Sequence, residues 1–358
     1  MKIAVLGAGN TGVCAAADMA LRGHNVTLIK TSRTLHEDNF RYLSENGGRV
    51  TVDEFGKIST AVISRLSRDI EDIRGCDIVM LCTVTSFHEE LIKRIAPVLS
   101  GKQILLICPG YFSSAYVLKY ISENVPVAET QSAFIDCRLT APGKIKIGFR
   151  NVRNPVAVYP SRRKDEIFAR LDGMGFPITR LSSVADAALN NPNMIVHTVG
   201  AVMSIPRIER EKENYCMYHE VFTPSVWKLL ERLDGEKRAV LEKLGLHGIP
   251  YTEACKFRNS ADLSVDGKEV FFRYAAMPEL AKGPAAVESR YITEDVPQGL
   301  ALLESLGSLT GIPTPVCSSL IELASAALGR DMRENGRTVE RLGRDNLLKI
   351  LADGEKLL

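Results

Sequence analysis

Two short segments in the second half of the chain carry side chains able to move protons. In Asn190-Asn191-Pro192-Asn193-Met194-Ile195-Val196-His197-Thr198, Asn193 and His197 stand at i and i+4. On a helix they share one face, which the small side chain of Ala201 continues. An imidazole with its ordinary pKa of about 6.5 passes protons in both directions at working pH. Such a face, flanked by Met194, Ile195 and Val196, suits the wall of a polar substrate; a lone histidine at this spacing is more often a hydrogen-bonded core residue. The second segment, ESRYITEDVP (288–297), gathers Arg290, Tyr291, Glu294 and Asp295 just before a proline that fits the first turn of a helix. In one reading Thr293 or Asp295 caps that helix. In the other, a carboxylate orients the histidine and stabilises its cation, and Arg290 pairs with a substrate carboxylate. Tyr291 reads equally as core.

A proton donor of this kind is useful beside a source of reducing equivalents, and the first thirty residues point to one. Lys2 to Leu6 is an apolar run that breaks into Gly7, Gly9 and Gly12, spaced G-x-G-x-x-G around Asn10 and Thr11. Val13, Ala16, Ala17, Ala20 and Leu21 then recur at helical spacing, and Asn25 to Ile29 is a second apolar run. This strand, glycine turn, helix and strand is the arrangement that binds a dinucleotide. Gly7 permits the tight turn, Gly9 the approach of a pyrophosphate to the helix N-terminus, and Gly12 close helix-to-strand packing. At the end of the second strand the sequence reads Lys30, Thr31, Ser32, Arg33. No carboxylate stands there to hold ribose hydroxyls, whereas Arg33 and the two hydroxyls suit a 2′-phosphate. The expected cofactor is therefore NADP, with NAD retained as the alternative.

The elements that must hold these residues follow from periodicity. Cys76 to Thr83 and Gln103 to Cys108 read as buried parallel strands with a helix, Glu89 to Leu99, between them. Ligands sit beyond the carboxyl ends of such strands, so Thr83 to His88 and Pro109 to Ser114 are expected to face the cofactor, Thr83 and His88 among its contacts; His88 reads equally as a helix-start histidine facing solvent. GGRVTVDEFGKIS (47–59) reads as a small hairpin or irregular strand. VPVAET, KIKIGF and PVAVYP are expected to extend the first sheet. Beyond Ala185 long amphipathic stretches replace strands: Ala185 to Ile205, Pro224 to Leu244, Gly299 to Leu306, Val316 to Leu328 and Thr338 to Ile350. Residues 256–283 read as loop with one or two short helices. The expected fold is an α/β Rossmann domain with a mostly parallel, doubly wound sheet over 1–183, followed by an all-α helical domain over 184–358.

Composition narrows the function classes. The 358 residues carry a net charge of +2, too balanced for a nucleic-acid binder, and no apolar run is long enough to span a bilayer. The chain opens directly on a strand, with no basic and apolar leader, so a cytoplasmic protein is expected. Its eight cysteines are scattered without a C-x-x-C pair and read as reduced and buried. Cys216 and His219 lack a second ligand pair, so no metal is expected.

Five segments, in order, carry a resemblance: GAGNTG, TSFHEELIKRIAPVL, AETQSAFIDCR, NNPNMIVHT and SRYITEDVPQGL. Together they resemble the octopine/nopaline (opine) dehydrogenase family. The resemblance implies reductive condensation of an amino acid with an α-keto acid, through an imine that receives hydride from NAD(P)H. It also implies that the family's histidine and aspartate pair falls on His197 and Asp295, with Asn193 in the substrate-facing segment. Lys30 departs from the acidic residue of NAD users, and the loop after Cys108 reads PGYFSS where members vary. Two other readings stand beside this one. The first is a reductase of a single 2-keto acid, of the ketopantoate reductase or hydroxyacid dehydrogenase kind, which usually relies on a lysine in the helical domain. The second is a cofactor-binding sensor without chemistry, in which residues 193, 197 and 295 have no reason to converge. A homodimer is expected from the apolar surface of the helical half.

Overall fold

The computed structural model describes residues 1–278, 280 and 282–354. The chain divides into two compact units, Met1–Val184 and Ala185–Leu358. The first is built on an eight-stranded sheet in the order β12-β11-β8-β7-β6-β1-β2-β5. Its strands are β1 (Lys2–Leu6), β2 (Asn25–Ile29), β5 (Arg65–Ser67), β6 (Ile78–Leu81), β7 (Ile104–Ile107), β8 (Val127–Thr130), β11 (Asn154–Tyr159) and β12 (Ile178–Arg180). Only β11 against β8 runs antiparallel; the other pairings are parallel. Strands covered on both faces must be apolar throughout, and β6 and β7 are fully buried from end to end. Helix α1 (Asn10–Leu21) follows β1 through the glycine turn and buries Val13, Ala16, Ala17 and Met19.

A second sheet of four strands, in the order β4-β3-β10-β9, belongs to the same unit. It contains β3 (Arg49–Glu54), β4 (Lys57–Val62), β9 (Ile135–Ala141) and β10 (Lys144–Arg150). KIKIGF is therefore not part of the first sheet, contrary to the expectation. Lys144 and Lys146 are exposed while Ile145 and Ile147 are buried, so β10 has one wet face and fits a sheet covered on one side. PVAVY is buried at every position and does join the first sheet.

The second unit is helical among its described residues. The amphipathic stretch from Ala185 falls on three helices, Val184–Leu189, α7 (Asn193–Val202, the seventh α-helix of the chain) and Ile205–Glu211. Pro192 accounts for the first break, because a proline disfavours helical geometry in the residue before it and has no N–H to donate. The last stretch divides into Val339–Leu342 and Arg344–Ala352 at Gly343, whose φ is 85°. The segment beyond Tyr251 holds two helices, Tyr251–Asn259 and Gly267–Ala275. All eight cysteines are buried and outside any disulfide. Among the described residues no helix is long and apolar enough to cross a membrane, and no cluster of His, Cys, Asp and Glu is arranged to hold a metal.

Candidate active site

The glycine turn leaves no room for side chains. A Cβ on Gly12 would lie 1.8 Å from the Gly7 carbonyl oxygen, and one on Gly7, at φ 112°, would lie 2.5 Å from the Cys82 carbonyl oxygen. Gly9 precedes α1 and no side chain caps that terminus, which leaves the first-turn amides to a ligand. Asn10 braces the turn: its Oδ1 accepts the Leu139 amide at 2.7 Å, so its side chain is spent on β9. Thr11 is half-buried beside it. After β2, Thr31 and Ser32 are half-buried and Arg33 is exposed. Lys30 is itself buried; its Nζ donates to the Ser32 carbonyl at 2.6 Å and lies 3.2 Å from Glu37 Oε2. Arg68 first and Lys30 second hold the Glu37 carboxyl below its usual range. The acid nearest this loop in sequence is thus already neutralised. His36 escaped the sequence reading, although its ring stands 3.3 Å from where a Gly9 Cβ would be.

The carboxyl ends of β6, β7 and β8 hold a buried polar network. His88, expected among the cofactor contacts, is fully buried with both ring nitrogens engaged. Nε2 donates to the Thr83 carbonyl at 3.2 Å, and Nδ1 lies 2.8 Å from Ser113 Oγ, itself 2.7 Å from the Gly110 carbonyl. His88 therefore ties the loop after β6 to the loop after β7 and offers no ring nitrogen to a dinucleotide. Glu129, fully buried on β8, accepts the Phe112 amide at 3.0 Å and the Ser114 amide at 2.6 Å. These bonds hold Tyr111 and Phe112 at φ 48° and 63°, a left-handed conformation that bulky residues seldom adopt. Three buried hydroxyl oxygens at this rim, on Thr83, Ser114 and Thr130, have no hydrogen-bond partner. Orphaned buried hydroxyls are uncommon, and together with the glycine cradle they fit a bound dinucleotide.

In the helical unit, α7 presents Asn193, half-buried, and His197, buried, one turn apart on one face. Asn191 Oδ1 accepts the Asn193 amide at 3.0 Å and fixes the start of the helix. His197 Nδ1 donates to Asp295 Oδ2 at 2.8 Å, with the two side chains 6% and 4% exposed. Asp295 makes no capping bond to the π-helical turn Val296–Leu300 that follows it, and Thr293 Oγ1 donates back to the Ser289 carbonyl at 3.0 Å. Neither residue caps, and the carboxylate is turned to the imidazole. Pro297 lacks an amide to continue the α-helical ladder. The buried Arg337 holds this turn, its amide donating to the Pro297 carbonyl at 2.8 Å and its Nε to Gln298 Oε1 at 2.9 Å. Arg290 is half-exposed, 3.8 Å from Glu294 Oε2. Tyr291, which read as core, stacks on His197 with ring centroids 3.8 Å apart.

Known proteins match both units. Residues 180–328 match the model of the NAD/NADP octopine/nopaline dehydrogenase alpha-helical domain, and residues 3–150 that of ketopantoate reductase PanE/ApbA. The opine dehydrogenase of Arthrobacter sp. (strain 1C) is 26% identical, covering 96% of this chain and 95% of its own. An octopine dehydrogenase solved with NADH and L-arginine shares the fold at TM-score 0.73 and 15% identity, covering 99% of this chain and 98% of its own. A yersinopine dehydrogenase with NADP+ bound does so at TM-score 0.74 and 16% identity, covering 99% and 96%. With a nucleotide-binding unit, a helical unit that matches the octopine/nopaline dehydrogenase alpha-helical domain, and likeness to an opine dehydrogenase over nearly its whole length, the chain is similar throughout to the octopine/nopaline (opine) dehydrogenases.

Proposed function

We propose that the protein condenses an amino acid with an α-keto acid and reduces the resulting imine to a secondary amine, with His197 as the proton donor. Its likeness to the opine dehydrogenases supports an NAD(P)-dependent oxidoreductase acting on a CH–NH bond. The single observation carrying the assignment of roles is the 2.8 Å bond between His197 and Asp295 across 98 residues of sequence. The glycine turn, Thr31, Ser32, Arg33 and Thr83 would hold the dinucleotide. Bound there, it supplies hydride to the imine carbon. Asp295 fixes the imidazole with Nδ1–H toward the carboxylate and stabilises its cationic form, which assigns proton transfer to Nε2. That nitrogen protonates the carbinolamine hydroxyl so that it leaves as water. Asn193, on the same face, contacts the substrate, and Arg290 holds a substrate carboxylate. The rival keto-acid reductases use a lysine of the helical domain; here the buried Lys237 is engaged by the Ile249 carbonyl at 2.7 Å and Asp234 at 2.8 Å. Oxidation of NADPH with a keto acid alone, then with amines added, tests the reaction. A condensing enzyme requires both substrates, and mass spectrometry of the product identifies the pair; turnover with the keto acid alone would overturn the reading.

NADP is the proposed cofactor, supported by exposed Arg33 and by the neutralised Glu37. Replacing Arg33 by Ser is expected to raise the KM for NADPH about tenfold or more, the worth of a charged hydrogen bond, and to leave that for NADH within about twofold. Equal changes for both cofactors would place Arg33 away from the 2′-phosphate. A homodimer in the cytoplasm completes the proposal. Phe55, Ile58 and Val62, exposed at 60%, 61% and 50%, support self-association through the first unit and not through the helical half from which it was expected, and eight unpaired thiols support a reducing compartment. Sedimentation equilibrium at the mass of one chain would remove the dimer.

A further inference from the structure

The hydrogen bond that His197 donates to Asp295 fixes one in-plane atom of the imidazole but leaves the ring able to swing about that bond. The plane is set by something else. Tyr291, on the short helix Arg290–Thr293, lies against one face of the imidazole with centroids 3.8 Å apart and planes inclined by only 11°. Tyr218 approaches edge-on, at 6.5 Å and 73°. We propose that Tyr291 is a positioning residue for His197, its ring serving as a plate that fixes the imidazole plane and stabilises the imidazolium through its π face. The inference rests on the reading of His197 as the proton donor.

The electrostatics around the pair are consistent with this. An aromatic face carries the negative end of the ring quadrupole, and attraction to a cation strengthens when water is excluded. His197 is buried, so its cation depends on what the protein supplies, including Asp295 at Nδ1 and the Tyr291 face. Arg290 and Glu294 are charged groups beside the stack. The Arg290 guanidinium lies 5.9 Å from the Tyr291 centroid, is half-exposed, and stands 3.8 Å from Glu294. It is the weaker claimant on the ring, because the imidazole is closer and less hydrated. Plane and bond together determine where Nε2 points. A misdirected donor loses rate even when its protonation is unchanged, since proton transfer requires a near-linear approach at about 3 Å.

The test compares two substitutions with opposite expectations. Tyr291→Phe keeps the plate and is expected to hold kcat within about threefold, with an unchanged pH profile. Tyr291→Leu keeps bulk but removes the π face. It is expected to lower kcat at least about tenfold, to leave the KM for the keto acid nearly unchanged, and to move the protonated-donor limb of the kcat profile about one pH unit down, as the loss of a desolvated cation–π contact implies. A leucine variant with wild-type kcat and pH profile would overturn the inference, as would a phenylalanine variant equally impaired. Measuring His197→Ala alongside separates the two levels. If that variant keeps its activity, the reading of His197 fails; if it is inactive while Tyr291→Leu is normal, only the stacking role fails. Should the leucine variant unfold, the wild-type protein decides: the His197 ring protons are expected upfield of those of the other histidines by ring current, and their absence there would exclude the stack.

Discussion

Replacing His197 by alanine is expected to lower kcat by about 10²- to 10⁴-fold, the usual contribution of a positioned general acid. NADPH binding should be nearly unaffected, because the glycine turn and the loop after β2 belong to the first unit and His197 to the second. Steady-state turnover at saturating keto acid and amine, with cofactor affinity from NADPH fluorescence, reads the two quantities separately. Stability should fall as well. Truncation leaves the Asp295 carboxylate, 4% exposed, without its imidazole partner, a loss of about 1–3 kcal/mol. His197→Asn therefore belongs in the same experiment, since an amide still donates toward the carboxylate but cannot deliver a proton. A folded His197→Asn variant retaining more than half of the wild-type kcat would take His197 out of the chemistry.

Gly12→Ala is expected to have the second largest effect, on cofactor binding. The added Cβ would lie 1.8 Å from the Gly7 carbonyl oxygen and 2.8 Å from its carbon, both backbone atoms that no rotamer change can move. The turn must open, at about 1–3 kcal/mol for overpacking of this kind, which weakens NADPH affinity roughly tenfold to a hundredfold if the strain falls on the bound form. Gly235→Ala is the matched control. It lies within the helix Pro224–Lys243 with nothing within 4 Å of its added Cβ, so it should be neutral or slightly stabilising. Calorimetric titration with NADPH and a thermal melt of both variants distinguish local strain at the turn from a general intolerance of substitution. Unchanged affinity in Gly12→Ala would show that the turn does not form the phosphate site.

Much of the first unit is legible in the sequence because its signals are local. The strand, glycine turn and helix over residues 2–21 need only short-range sterics: a tight turn, a close carbonyl and an apolar stripe of small residues. The strands CDIVMLCT and QILLIC are readable because burial on both faces demands continuous apolar residues. KIKIGF was less readable. Its alternation marks a one-sided strand but does not say which sheet supplies the partner, and only the pairing with β3 and β9 settles that. The broken helices beyond Ala185 show a similar limit. Pro192 and Gly343 are visible as breakers, yet the amphipathic pattern runs across both of them.

Residue types and a family pattern were enough to single out the segments around His197 and Asp295, since an imidazole and a nearby run of acids advertise proton chemistry on their own. The sequence by itself also determined the class of fold, because hydrophobic periodicity changes from strand-like to helical near residue 185 and each period is a property of the local chain. Tertiary structure alone decided that Asp295 turns to the imidazole and does not cap, that His88 is consumed by two loops, and that Tyr291 lies flat on His197. Glu129 and the orphaned hydroxyls at the strand ends belong with these. Each depends on groups far apart along the chain coming within a few ångströms, and hydrogen bonds and ring stacking act only at that range. A linear pattern can name the donors and acceptors; which of them meet is fixed when the core packs.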